Sequence, residues 1–361
     1  MSVINQTNSK NEEEIYFNFI NSIKSDVTKK IYETHVKMYL KFCNLTRLSD
    51  LLSIADPQKK IIEYIMSLRE RGLASNSIST WLLGIYHLYE MNDIALNKKK
   101  INMFKGEFSR RVIDRAYRHE EIKKILDVSD LRMKVNILLM ASAGLRVGAL
   151  PSLRKRNLER INSIYKISVY EGSNSSYYTF CTSECASYID AYFEYRIQNG
   201  EKLHDNSFLI RDQFDITDLE QIRNKSKGIS VHTLGCIVDI VLQKAGLRTV
   251  NHTTSSNRKE VAKSHGFRKF FTTQAVNVQV NPEIREMLLG NKIGLASCYY
   301  RPTQEEMLKE YSKAINNLTI NEENRLKLKL EQRVQIEKSQ IESLKADFEK
   351  FKTEVLKRRR N

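Results

Sequence analysis

The chain has 361 residues and carries 59 Lys+Arg against 43 Asp+Glu, a formal net charge of +16. Hydrophobic content of 41% and charged content of 28% suit a soluble globular chain long enough for two domains, and no apolar run reaches the roughly 18 residues of a membrane span. The positive excess is the footprint of a protein that meets a polyanion, so a nucleic acid is the expected partner and a membrane is not.

The polar, acidic start MSVINQTNSKNEEE is no signal peptide, which points to the cytoplasm, and residues 1–11 are expected to be a disordered N-terminus. Cys43, Cys181, Cys185, Cys236 and Cys298 lack metal-ligand spacing and read as free thiols of a reducing compartment. There is no GxxxxGK[ST] phosphate loop and no GxGxxG turn, so neither metal nor nucleotide cofactor is expected.

Residues 12–105 read as an all-helical domain. Ile31, Val36, Tyr39, Leu40 and Phe42 recur at helical intervals among Lys29, Lys30, Lys37 and Lys41, with Ser25 or Asp26 as N-cap. Asp56-Pro57 opens a second helix carrying Ile61, Ile62, Tyr64, Ile65 and Leu68, closed by Gly72. A third helix begins at Ser75 to Ser79, with Trp81, Ile85, Leu88 and Tyr89 inward and His87 as a packing or surface residue. Such a bundle with a basic face clamps a duplex through phosphates. From Asn97 to Arg118 the chain turns strongly cationic, and its part 106–118 reads as a basic linker that tracks a DNA backbone.

The second domain, 119–320, starts with a capping signal at Arg118-His-Glu-Glu, followed by a nearly apolar helix from Val135 to Ala143. That helix runs into Gly144-Leu-Arg146-Val-Gly148, where Arg146 either stands at the floor of a cleft or caps helix carbonyls. Between Ile164 and Thr182 the period changes around Glu171–Ser176, which predicts a hairpin and one small antiparallel sheet. Helices follow at Ser183–Tyr195 and after Ser230, the latter closed by Gly246, and the polar, basic stretch 247–264 reads as a loop approaching the site.

The stretch from His265 to Pro302 carries the chemistry. His265 and Arg268 leave one helix face a turn apart, a geometry that grips one phosphate. Asn281-Pro282 opens a short helix ended by Gly290, and a loop leads to Tyr299-Tyr300-Arg-Pro. A tyrosine attacks phosphorus usefully only where cations stabilise the phenolate and the transition state. In the tail, 321–361, Leu330, Val334, Ile341, Leu344, Phe348, Phe351 and Val355 alternate by fours and threes around Glu337, the spacing of a coiled-coil seam, before Lys357-Arg-Arg-Arg360.

AGLRVGAL, a hairpin, HGFRKFF, and LLGN followed nine residues later by Tyr300 stand in the order of the tyrosine-recombinase catalytic domain, which the chain resembles. The VY-x-G…YxTF hairpin and the SYYRP-like segment are most similar to integrases of archaeal mobile elements. The likeness covers nearly the whole chain. It implies a mainly α protein with a small antiparallel β-sheet: a helical core-binding domain, an α+β catalytic domain and a C-terminal coiled-coil helix. By that resemblance Arg146 and Arg268 are the two catalytic arginines, His265 the histidine between them in the motif, and Tyr300 the nucleophile, with Tyr299 as competitor. It further implies cleavage and rejoining of double-stranded DNA through a 3′-phosphotyrosyl intermediate, in a tetramer on two duplexes, to integrate or excise a mobile element. Three positions depart from the pattern. Ala149 replaces a carboxylate, Asn291 replaces a second histidine, and the hairpin turn lacks the lysine that acts as general acid, for which Lys166 is the nearest substitute. The alternative is a relative that binds DNA as an accessory protein with impaired catalysis, and self-association through the tail is a further expectation.

Overall fold

Capping chemistry sets the boundaries of the first unit, Met1–Arg111. The computed structural model describes residues 12–107, 114–223, 226–248, 260–294 and 299–358, so the N-terminus 1–11, most of the expected loop 247–264 and Cys298 lie outside the described residues. α1 (Glu12–Asn21) is followed by α2 (Asp26–Cys43), whose N-cap is Ser25, its side chain accepting from Thr28 N. α3 (Leu48–Leu52) follows, held by the Glu12 carboxylate, which accepts from Leu48 N at 2.7 Å and Ser49 N at 3.0 Å. α4 (Pro57–Glu70) starts at the Asp56 cap, and α5 (Ser75–Met91) starts after Ala74, which makes no side-chain cap. Tyr39, Ile61, Ile65, Leu82, Ile85 and Tyr89 meet in the core of this bundle.

The start of the cationic stretch belongs to the helical unit: Lys98–Asn102 forms α6, and its Ile101 is fully buried in the bundle core. Trp81 is only half-buried, stacked on His35 at 6.0 Å with Arg71 over its other side, while His87 packs between Phe19 and Tyr32 and meets Ser22 Oγ at 2.8 Å. Residues 108–113, at the centre of the expected linker, lie outside the described residues.

The second unit, Val112–Asn361, is built around one buried helix. α7 (His119–Asp127) begins where the Glu121 carboxylate accepts from Arg118 N at 2.8 Å. In α8 (Leu131–Ser142) every residue except Leu131 and Lys134 is buried. Strands β1 (Leu158–Ile161), β2 (Ile164–Val169) and β3 (Tyr177–Phe180) form an antiparallel sheet in the order β1-β2-β3. β1 was not expected; it pairs with β2 across a two-residue turn in which Asn162 takes φ 52°. Thereafter come α9 (Ser183–Gln198), α10 (Leu219–Arg223), α11 (Val231–Lys244), α12 (His265–Asn277), α13 (Pro282–Leu288) and α14 (Gln304–Leu318). Phe267, Phe270 and Phe271 of α12 and Tyr311 of α14 share the core with α8. Cys181 and Cys185 are buried in it.

α15 (Glu322–Arg358) is a single long helix. Leu330, Val334, Ile341, Leu344 and Phe348, the described side chains of its predicted seam, are all exposed. No helix among the described residues is long and apolar enough to cross a membrane.

Beside α9 lies a buried charge cluster that sequence patterning does not reveal. Arg196, 0% exposed, holds the Glu201 carboxylate with two hydrogen bonds at 2.6 and 3.0 Å, and Arg211 adds a third at 2.7 Å. Burial alone would push the Glu201 carboxyl up, but the two guanidiniums outweigh it and hold it below the ordinary carboxylate range. Its stabilising contribution is therefore present above that range and lost as pH falls through the depressed value. Removing one member of such a cluster strands the others, so Glu201→Gln should lower unfolding free energy by about 3–5 kcal/mol, read by urea denaturation near neutral pH. A loss below about 1 kcal/mol would mean that water reaches the cluster.

Candidate active site

The end of α8 is fixed by side chains from three other elements. The last carbonyls of a helix lack partners within it. Here Tyr311 Oη donates to Ser142 O at 2.9 Å, Thr179 Oγ1 to Ala143 O at 3.1 Å and Arg268 Nη1 to Gly144 O at 2.6 Å. Gly144 takes φ 64°, and a Cβ there would lie 2.8 Å from the Leu289 side chain. Only glycine lets the chain turn this close to its neighbour. Leu145 then points into the core and Arg146 emerges at the surface.

Arg146 does not cap its own helix. Its Nη1 lies 3.4 Å from the carbonyls of both Leu289 and Gly290, at the end of α13, and its Nη2 donates to Asn291 Oδ1 at 2.5 Å. Arg268, 7% exposed, reaches the same place from α12: its Nη2 donates to Leu289 O at 2.5 Å and to Asn291 Oδ1 at 3.0 Å. Two guanidiniums thus converge on one uncharged oxygen. Among the described residues no carboxylate forms an ion pair with either. Burial, then the neighbouring Arg146 charge, holds the Arg268 guanidinium below its ordinary pKa. The backbone carbonyls of Gly144 and Leu289 orient Arg268, while Ala149 is fully buried.

Asn291 turns its amide oxygen toward the arginines. One Nδ2 hydrogen goes to Glu286 Oε2 at 2.6 Å and the backbone N–H to Glu286 O at 2.9 Å, so α13 sets the direction of the amide and leaves one Nδ2 hydrogen for a further acceptor. Glu286, which holds it, carries no signal in the sequence beyond its place in the last turn before LLGN.

His265 opens α12 with an exposed ring, one turn before Arg268. Partial burial, then Lys269 and Arg268, depress its pKa, with Asp114 acting the other way. Asp114 is paired to Lys269 at 2.5 Å. His265, Arg146, Arg268 and Asn291 therefore share one electrostatic site.

Lys166 does not share the sheet face of the residues that meet the arginine pair. The sheet register pairs Lys166 with Phe180 and Val169 with Tyr177, so alternation puts Lys166 on the opposite sheet face from Tyr177 and Thr179. Its ammonium is held by Glu159 Oε2 at 2.7 Å and Gln304 Oε1 at 2.6 Å, over the Tyr178 ring. Tyr300 is 37% exposed and Tyr299 90%. Slight burial, then Glu306, Glu283 and Glu310, raise the Tyr300 pKa, and neither arginine is among the charges acting on it. By contrast Tyr177, which the sequence reading did not single out, sits against Gly290 beside both arginines.

Because its pKa is depressed, His265 is neutral near pH 7 in the free protein. An anion on the arginine pair offsets the charges that depress it, so its titration midpoint should rise when DNA is added, read by long-range ¹H–¹⁵N correlation of its ring across the acid-to-neutral range. An unmoved midpoint would place the bound anion elsewhere.

No protein-family model matches the chain, and no curated protein matches it. Among solved structures it is similar to a lambda integrase tetramer bound to a Holliday junction, at 13% identity over 81% of this chain and 79% of that one, with TM-score 0.54. It is also similar to the XerA recombinase (18% identity, 83% and 98% covered, TM-score 0.39) and to the integrase of mycobacterium phage Brujita (15%, 83% and 90%, 0.41). Mainly helical, with three short antiparallel strands beside a converging arginine pair, the chain has the tyrosine-recombinase fold.

Proposed function

We propose that the chain is a site-specific tyrosine recombinase that cleaves and rejoins DNA, integrating or excising a mobile element. The observation that carries this reading is the convergence of Arg146 and Arg268 on Asn291 Oδ1, without a carboxylate partner. Two fixed guanidiniums around one oxygen atom form a receptor for a non-bridging phosphate oxygen, and their charge offsets what accumulates on a pentacoordinate phosphorus. The unit Met1–Arg111 would grip the duplex through phosphates, and the net charge of +16 supplies the attraction.

In this mechanism Tyr300 Oη attacks phosphorus, the bond to the 5′ oxygen breaks, and a 3′-phosphotyrosyl linkage and a 5′-hydroxyl remain. The phenol loses the proton that the leaving oxygen gains, so the step is proton-neutral. His265, neutral near pH 7, accepts the phenolic proton and as an imidazolium returns it to the departing 5′ oxygen. A second 5′-hydroxyl reverses the step, and no cofactor is needed. Lys166 has no place in this scheme, because its ammonium is engaged by Glu159 and Gln304 on the other sheet face. The charges that act on the Tyr300 phenol are Glu306, Glu283 and Glu310 rather than the arginines, so the reaction calls for the arginines to act on it once DNA is bound.

That last point favours a second reading, an accessory DNA-binding relative without strand exchange. A nicked suicide duplex separates the two. The recombinase should accumulate a covalent protein–DNA adduct that Tyr300→Phe abolishes and Tyr299→Phe leaves in place. DNA binding with no adduct from the unaltered protein sinks the first reading.

The lambda integrase structure is a tetramer, and assembly of this chain on DNA as a homo-oligomer follows from the same reading. The exposed seam of α15, spaced for knobs-into-holes packing, fits a second copy of itself. Leu330→Asp with Leu344→Asp should convert the free protein to monomer in sedimentation equilibrium, and an unchanged mass would exclude the seam as its contact.

A further inference from the structure

We propose that the Tyr177 hydroxyl is a third hydrogen-bond donor to the phosphate held by Arg146 and Arg268, a further catalytic residue of the site; this rests on the phosphate-clamp reading above. Tyr177 opens β3 directly after the hairpin turn and pairs with Val169, on the sheet face that also sends Thr179 to Ala143 O. Its ring lies flush against Gly290, where an added Cβ would come within 2.4 Å of the ring carbon Cε1. Gly290, with φ 62°, both turns the chain out of α13 and leaves room for that ring.

The hydroxyl is buried and has no hydrogen-bond partner among the described residues. Arg268 is near enough to aim an N–H at the phenol oxygen, a contact that leaves the phenolic O–H itself without an acceptor. Burial raises the phenol's pKa, and Arg268, then Arg146, draw it back down, so both guanidiniums of the pair act on this one oxygen. A guanidinium is a donor only and cannot take the phenolic proton. A buried O–H facing two cations therefore lacks one thing, an acceptor, and a phosphate oxygen seated between the guanidiniums provides it. Tyr192, another buried and unpartnered phenol, differs in kind: its neighbour Arg196 is already neutralised by Glu201. Tyr177 faces a pair that, among the described residues, has no carboxylate in ion-pair contact; the Glu286 carboxylate that acts on Arg268 is bonded to Asn291.

The test uses the full chain and inorganic phosphate in titration calorimetry. The difference between the unaltered protein and Arg146→Ala with Arg268→Ala defines the part of binding that depends on the clamp. Tyr177→Phe keeps the ring on Gly290 and removes only the oxygen, and it should weaken that part about tenfold, the usual worth of a hydrogen bond to a charged acceptor. The thermal midpoint of the phosphate-free protein should hold or rise, since an unsatisfied polar atom has been removed, a result that a merely structural role would reverse. Clamp-dependent affinity within about twofold of the unaltered protein overturns the proposal. Should Tyr177→Phe fold poorly, 3-fluorotyrosine at position 177 retains the hydroxyl; its fluorine resonance should move with phosphate, only when both arginines are present, and a fixed resonance overturns the proposal equally. Strand cleavage is scored separately with the suicide duplex: a protein that forms no adduct yet shows the Tyr177 effect loses the recombinase reading and keeps the clamp. Phosphate binding untouched by loss of both arginines removes the clamp and Tyr177 together.

Discussion

Two positive charges brought to one neutral oxygen are the constraint around which the second unit is arranged. Arg146 and Arg268 repel each other, and Asn291 Oδ1 offers only a partial charge in return. The pair persists because each guanidinium is also tied to backbone carbonyls: Gly144 and Leu289 for Arg268, Leu289 and Gly290 for Arg146. Those carbonyls are the free ends of α8 and α13, so the negative poles of two helices add to what Asn291 supplies. On the proposed reading an anion between the two guanidiniums would relieve their repulsion, so that affinity for phosphate would come from relief as much as from contact.

That arrangement depends on packing far from the charges. α8 is buried nearly along its whole length, and its end is located by Thr179 from the sheet and Tyr311 from α14. Glu184 in α9 ties the end of α14, accepting from Ile320 N at 2.6 Å and Asn321 N at 2.9 Å. One continuous core thus sets the angle at which each guanidinium leaves the backbone. Side chains mounted on helix ends inside such a core are held more tightly than side chains on a loop.

The sequence made part of this legible. The apolar run of α8, the glycine after it and the His265-x-x-Arg268 spacing state their periods openly, because burial and capping write themselves into residue type. The hairpin was readable as a hairpin, yet which of its faces meets the arginines was not. Both faces of β2 and β3 are at least half-buried, so alternation shows no polar side to mark the choice between Lys166 and Tyr177. The short helix α3 was not picked out within the helical domain because its start is capped by a tertiary bond, the Glu12 carboxylate on Leu48 N and Ser49 N, rather than by a local residue. The orientation of Asn291 was illegible for a similar reason. An amide offers a donor and an acceptor, and only Glu286 decides which faces the arginines.

Slight burial and the charges of Glu306, Glu283 and Glu310 act on Tyr300 in one direction, toward the protonated phenol. On the proposed reading, a charge of +16 would draw the chain to any stretch of duplex, whereas the reaction would wait until the arginines act on that phenol. Adhesion and scission would then be separate events in one molecule.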